Sequence, residues 1–360
     1  MTLPRSPHIA VGRHRSCLVA AVQPTRVVVL MESYTSASVL VRFLSALLLV
    51  LWPLGLNAAD VDTPPLGVLV DVDGHKVHLY CTGTEGPTVV FLSGASSFSI
   101  DWALVQPKLS SRACAFDRPG YAWSDAAGVV DDGDQVVRVL HEVLLRTNQP
   151  RPYVLVGHSL GGLFARLFYD TFPEDVGGMV LIDATHEDGL FTSVDGRPVP
   201  ITSLSEAEYL AANVPTLPPR VPEARLEDAY RRLPEDIQQL RLALLTRFFD
   251  NMKSATVSEM IAFQKASYAT LMRLHQISAL QEHPLRDVPL VVLSRGMNTG
   301  VLQQRLQVDL ARLSRNVLHV TVDNADHEIH LYAPDVAVSW IDTMVDAVRN
   351  EQPLGSGAAQ

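Results

Sequence analysis

From Val68 onward the apolar positions fall into short blocks separated by longer, helically spaced stretches. Val68–Val72 and residues 75–81 flank Asp73-Gly74, which predicts a hairpin closed by a tight turn. Thr88–Leu92 is a wholly apolar third strand, and residues 112–116, 153–156 and 178–182 form the fourth, fifth and sixth. A seventh follows at 289–293 and an eighth at Val317–Val322. Helical patterns fall at 102–109, 134–147 and 163–172, and an amphipathic helix closes the pattern at 336–349. Strands alternating with helices predict an α/β fold. Its eight-stranded, mostly parallel sheet would be covered by helices on both faces. No internal repeat is evident.

Residues 186–285 break the alternation. They are polar and rich in Glu, Arg and Leu, with helical spacing over 205–213, 226–249 (broken at Pro234) and 257–281. Pro215, Pro218, Pro219 and Pro222 mark a loop between them. The block far exceeds one crossover, so it reads as a helical cap inserted between strands six and seven. The sheet core is then 60–185 with 286–350, and 351–360 is a flexible tail.

The N-terminal region follows a different rule. Residues 1–30 contain no acid and no convincing periodic element. Arg42 then precedes an apolar run over 43–52, Pro53 and Gly55 break it, and Asn57-Ala58-Ala59-Asp60 offers small residues for cleavage. That order is the one of a secretory signal peptide. Met31 is therefore expected to be the true start, 1–59 an extension with its signal peptide or anchor, and the mature protein secreted or periplasmic. An uncleaved membrane anchor is the alternative, since only Arg42 interrupts 39–59.

Charge sharpens the division. Of 360 residues, 47% are hydrophobic, ample for a large core. The net charge is −10, yet residues 1–59 hold five Arg and one acid, which leaves −14 from Asp60 on. So acidic a body argues against nucleic acid or an anionic membrane as partner. The three cysteines, Cys17, Cys81 and Cys114, show no C-x-x-C and no metal spacing.

Candidate chemistry centres on Gly157-x-Ser159-x-Gly161, lying between the fifth strand and a helix. A strand that turns at once into a helix lifts the serine hydroxyl above the sheet edge. It also aims the first helical N–H groups at whatever that hydroxyl attacks. Ser159 is the candidate nucleophile. Its base is expected to be His327, in the polar loop after strand eight, on the edge where ligands of open α/β sheets bind. His330 is a competitor, and His158 reads as packing. The acid that fixes the imidazole is expected to be Asp183, ending apolar strand six, where burying a carboxylate for packing alone would be costly. Asp188 and Asp309 stay open as alternatives. The loop after strand seven, Arg295-Gly296-Met297-Asn298, has no acid. The small-residue loop Ser93-Gly94-Ala95-Ser96-Ser97 can turn an N–H inward, so Ala95 and Leu160 are the expected oxyanion donors.

With these pieces placed, the chain resembles the α/β-hydrolase fold family over roughly 68–349, apart from the cap. The resemblance rests on Gly157-His158-Ser159-Leu160-Gly161-Gly162 and on the His327 loop. It rests also on Asp117-Arg118-Pro119-Gly120-Tyr121-Ala122-Trp123-Ser124, which looks like the family's Asp-Arg-x-Gly-x-Gly-x-Ser turn with Ala122 for the second Gly. Ser93-Gly94 stands where the family usually has His-Gly, and the acid after strand seven is missing. Some lipase-like members carry the acid after strand six, as Asp183 would be. The resemblance implies a serine hydrolase cleaving carboxylic esters through an acyl-enzyme, with no cofactor and no metal. Its partner is a small-molecule ester or related acyl substrate. An aminopeptidase, a haloperoxidase-like enzyme, a carbon–carbon hydrolase or a non-catalytic ligand-binding member remain open, whereas epoxide and haloalkane hydrolases resemble this fold with Asp at the elbow. In that family's sheet the second and fourth strands are neighbours, which brings Cys81 and Cys114 within bridging range; two buried free thiols are the alternative.

Overall fold

The computed structural model describes residues 63–126, 131–215 and 221–354. The expected signal peptide or anchor therefore lies outside the described residues. Eight strands form one sheet: β1 (Val68–Val72), β2 (His75–Thr82), β3 (Thr88–Leu92), β4 (Ala113–Phe116), β5 (Tyr153–His158), β6 (Val176–Ile182), β9 (Leu290–Arg295) and β10 (Val317–Val322). Their order is β1-β2-β4-β3-β5-β6-β9-β10, and only the β1–β2 and β2–β4 pairs are antiparallel. β3 and β5 are wholly buried and β9 nearly so, as continuous apolar runs in a doubly covered parallel sheet must be. Side chains alternate between two apolar layers. Val90, Leu155 and Leu181 face α1 (Gly133–Arg146) and α2 (Gly161–Thr171). Val89, Phe91, Val154 and Val156 face Trp102 and the closing helix (Pro334–Arg349) through Ile341 and Met344. Cys81 and Cys114 stand opposite each other in the β2–β4 register and are joined by a disulfide.

Between β6 and β9 the chain leaves the sheet. It forms a hairpin, β7 (Phe191–Val194) with β8 (Arg197–Pro200), then α3 (Glu206–Ala212), α4 (Glu235–Lys253) and α5 (Val257–Leu280). Ser205 and Thr256 cap α3 and α5 through reciprocal bonds with Glu208 and Glu259. α4 packs Leu244, Leu245 and Phe248 against Phe98, Ile100 and Tyr121 of the core.

Two expectations fail here, and one element was not foreseen. Residues 102–109 form no α-helix but two 3₁₀ turns, Ser99–Trp102 and Gln106–Lys108, because Pro107 cannot donate to a continuing ladder. Residues 226–233 are largely irregular, with one 3₁₀ turn at Tyr230–Arg232. Pro234 forces Leu233 into extended backbone (ψ 157°), and α4 begins only after it. The β7–β8 hairpin was not predicted: Pro198 and Pro200 argue against a strand, yet they are tolerated in an isolated two-stranded ribbon turned at Asp195-Gly196.

Candidate active site

The elbow follows from close packing at the end of β5. A methyl group on Gly161 would lie 2.0 Å from the Leu92 carbonyl oxygen, and one on Gly157 would lie 2.7 Å from the Gly162 Cα. Ser159 takes φ 51°, the left-handed region that an L-residue adopts only where its surroundings demand it. The surroundings here are explicit. The Ser159 N–H donates to the Ile182 carbonyl (3.2 Å), and its carbonyl accepts from Gly162 (3.0 Å) and Thr185 (2.9 Å). The turn after β5 is thus tied to the end of β6.

Asp183 is the first residue beyond β6 and also has a positive φ, 38°. Its side chain is fully buried. His327 comes from the loop after β10, its own N–H held by Asp326 Oδ1 at 2.7 Å. The three meet at the carboxyl edge of the sheet. His327 Nδ1 lies 2.6 Å from Asp183 Oδ2, and His327 Nε2 lies 2.9 Å from Ser159 Oγ. A carboxylate only accepts, so Nδ1 carries the proton. Nε2 is then free to accept from the serine hydroxyl.

A model of the alpha/beta hydrolase family matches residues 89–339. This chain belongs to that family. Among curated relatives, the uncharacterised protein YbdG of Bacillus subtilis is 26% identical over 154 residues, 42% of this chain and 47% of the relative. The esterase Rv0045c of Mycobacterium tuberculosis is 35% identical over 127 residues, 34% of this chain and 41% of the relative. The alignments thus span less than half of either protein. The solved structure of a thermophilic esterase from Thermogutta terrifontis superposes with a TM-score of 0.53 at 18% identity, covering 78% of this chain and 97% of that one. That likeness is one of fold.

Within this alpha/beta hydrolase, electrostatics separate three neighbouring histidines. Burial disfavours the His327 imidazolium, but the hydrogen bond and charge of Asp183 outweigh it and hold the imidazole above its ordinary value. For Asp183, burial would raise the carboxyl, yet the bonds and charges of His327 and Arg295 hold it below the usual range. His158 is pushed down to about 3 by burial and by His327. Its Nε2 donates to the His327 carbonyl at 3.0 Å. His330, whose pKa burial also depresses far, packs at a tilt against Trp102 (centroids 4.6 Å apart) and His158 (4.5 Å). Both rings are buried neutral packing beside the one imidazole that reaches Ser159.

The remaining acids sit elsewhere. Asp188 pairs with His275 (2.9 Å) and accepts from Thr202, and Asp309 pairs with Arg312 (2.9 Å) with its side chain 48% exposed. Asn298 donates to Asp326 Oδ2 at 2.6 Å. Ala95 lies in a turn closed by Ser97 N–H to the Gly94 carbonyl (3.3 Å), and a methyl on Gly94 would lie 3.0 Å from Ser159 Cβ. Leu160 is the N-cap of α2, so its N–H precedes the helical ladder. Among the described residues no group of His, Cys, Asp or Glu converges as a metal site.

Arg295 was not anticipated. Its N–H lies 3.4 Å from Asp183 Oδ1, its Nε 3.5 Å from Oδ2, and its Nη1 3.3 Å from Asp326. It braces the acid and, through Asp326, the backbone of His327. The signal was present: no acid follows the seventh strand, and that strand ends on a cation.

Proposed function

We propose that the chain is a serine hydrolase cleaving carboxylic esters through an acyl-enzyme. The observation supporting this reading is the unbroken hydrogen-bonded line from Asp183 through His327 to Ser159, with the Ser159 hydroxyl at the sheet edge. His327 Nε2 takes the Ser159 proton as Oγ attacks the ester carbonyl. Charge develops on the carbonyl oxygen, for which the Ala95 and Leu160 N–H groups are the donors. His327 returns the proton to the departing alkoxide, and a water activated by the same imidazole then releases the acid. Asp183, ionised throughout, fixes the tautomer and steadies the imidazolium. Residues 186–285 act as a cap over the small-molecule substrate. The test is a panel of p-nitrophenyl esters of increasing acyl length, assayed with the wild type and Ser159→Ala. Turnover by the wild type that the variant lacks supports the reading, and equal turnover by both refutes it.

The second part of the proposal is export from the cytoplasm. The apolar run at 43–52 and the Cys81–Cys114 bridge point the same way, since a structural disulfide persists in an oxidising compartment. N-terminal sequencing from the native host should find the mature chain starting near Asp60. A cytoplasmic product retaining Met31 would refute it.

A further inference from the structure

The loop Ser93–Ser97 lies against the elbow at Gly94, next in the chain to Ala95, and buried cations hold its carbonyl oxygens from two directions. From the core, Arg118 donates Nη1 to the Ser93 carbonyl (2.5 Å) and Nη2 to the Gly94 carbonyl (3.0 Å), itself paired with Asp131 at 2.7 Å. From α4 of the inserted segment, Arg241 donates Nη2 to the Ser96 carbonyl (3.3 Å) and Nε to Asp101 Oδ1 (3.0 Å). The guanidinium lies 3.4 Å from the centroid of the Tyr230 ring, whose hydroxyl bonds Ser97 Oγ at 3.2 Å. Arg241, Asp101, Ser97 and Tyr230 are all buried.

These bonds fix direction. A trans peptide carries its C=O and N–H on opposite sides, so drawing the Gly94 carbonyl to Arg118 turns the Ala95 N–H away from it. Ser96 holds φ 53° without being glycine, a conformation that persists only where its surroundings over-determine it. Arg241 is the group that takes the Ser96 carbonyl. A buried ion pair adds little net stability over apolar side chains of the same size, whereas a rigid planar fork of donors adds geometry.

The geometry points to Arg241 as a positioning residue for the oxyanion site. It ties the seating of α4 on the core to the shape of the loop that presents the Ala95 N–H. This rests on the serine-hydrolase reading above. The test is the paired variant Arg241→Met with Asp101→Asn, which leaves no buried charge unpaired, alongside Arg241→Lys. Active sites are titrated to completion with a fluorophosphonate, so misfolded protein drops out of the count. The paired variant should lose about 10²-fold in kcat per titrated site, the size of a lost oxyanion donor, with KM much less affected. The affinity for a trifluoromethyl ketone, which forms a tetrahedral oxyanion on the serine, should fall by the same factor. The pH midpoint of kcat/KM should not move, because Asp183 and His327 are untouched. Arg241→Lys keeps the charge beside Asp101 but loses the fork, and should fall about tenfold, between the two. A folded paired variant with kcat per site within about twofold of the wild type would overturn the inference. If the paired variant does not fold, an unchanged Arg241→Lys would overturn it alone. A wild type that neither labels at Ser159 nor turns over esters would instead sink the serine-hydrolase reading, and this inference with it.

Discussion

Asp183 and His327 meet at 2.6 Å, Asp117 and His78 at 2.7 Å, and in both pairs Nδ1–H donates to the carboxylate. A serine hydroxyl stands beside each pair. The difference lies in what the serine faces. Ser159 Oγ is 2.9 Å from His327 Nε2, the basic nitrogen, and the His327 side chain is 34% exposed. Ser99 Oγ donates to the Asp117 carboxylate itself at 2.9 Å, and His78 Nε2 is occupied by the Gly67 N–H at 3.2 Å. That second pair is sealed from solvent. The same three residue types thus give the proposed nucleophile in one place and a satisfied core network in the other. What decides is which atom of the histidine remains open and whether a substrate can reach it.

The largest effect that could break this comparison is at the two serines. Ser159→Ala should lower kcat by about 10⁶-fold, because the covalent route is lost. Ser99→Ala should leave kcat per folded molecule unchanged. Steady-state kinetics on both variants checks this, and a reversed outcome would exchange the roles of the two clusters.

The carboxylates come next. Asp183→Asn should cost about 10⁴ in kcat by presenting His327 in the wrong tautomer. Asp309→Asn and Asp188→Asn should cost little. Asp117→Asn should act on stability instead, lowering the unfolding free energy by about 2–3 kcal/mol through weakened charge-assisted bonds to His78 and Ser99. Denaturant melts set beside kinetics would separate the two behaviours.

A smaller effect is expected in the pH profile. His327 must be neutral to act as base, and its pKa is raised, so kcat/KM should rise with pH through a midpoint above about 6.5. In Asp183→Asn the charge that raises it most is gone while burial remains and only the weaker Glu328 charge still raises it, so the residual activity should show a lower midpoint. An unmoved midpoint would mean that Asp183 does not set the imidazole.

The smallest effect lies in the turn that carries Asp117. Ala122 sits at φ 42°, where the family pattern has glycine. Ala122→Gly should relieve about 1 kcal/mol of backbone strain and raise the melting temperature by about 2–4 °C, with kcat unchanged. A lower melting temperature would show that the alanine methyl contributes packing that the strain argument omits.

The sheet was legible because its inner strands are apolar on both faces, a pattern with few alternative homes. Asp183 was legible for a related reason, as a carboxylate ending such a strand needs a partner. The Asp117–His78 network was not, since nothing in residues 39 positions apart says that one ring nitrogen is taken by a backbone amide. Arg241 and Asp101 are 140 positions apart, and no periodicity links them; only the seating of α4 does. The 3₁₀ turns after β3 were missed because a proline inside an apolar stretch was outweighed by the stretch itself.

The central claim, that Ser159 alone among these serines is an activated nucleophile, is tested most directly by fluorophosphonate labelling followed by peptide mapping. The account predicts a single adduct per chain, on the peptide bearing Ser159, absent from Ser159→Ala. An unlabelled folded enzyme, or an adduct on Ser99 or any other residue, would contradict it.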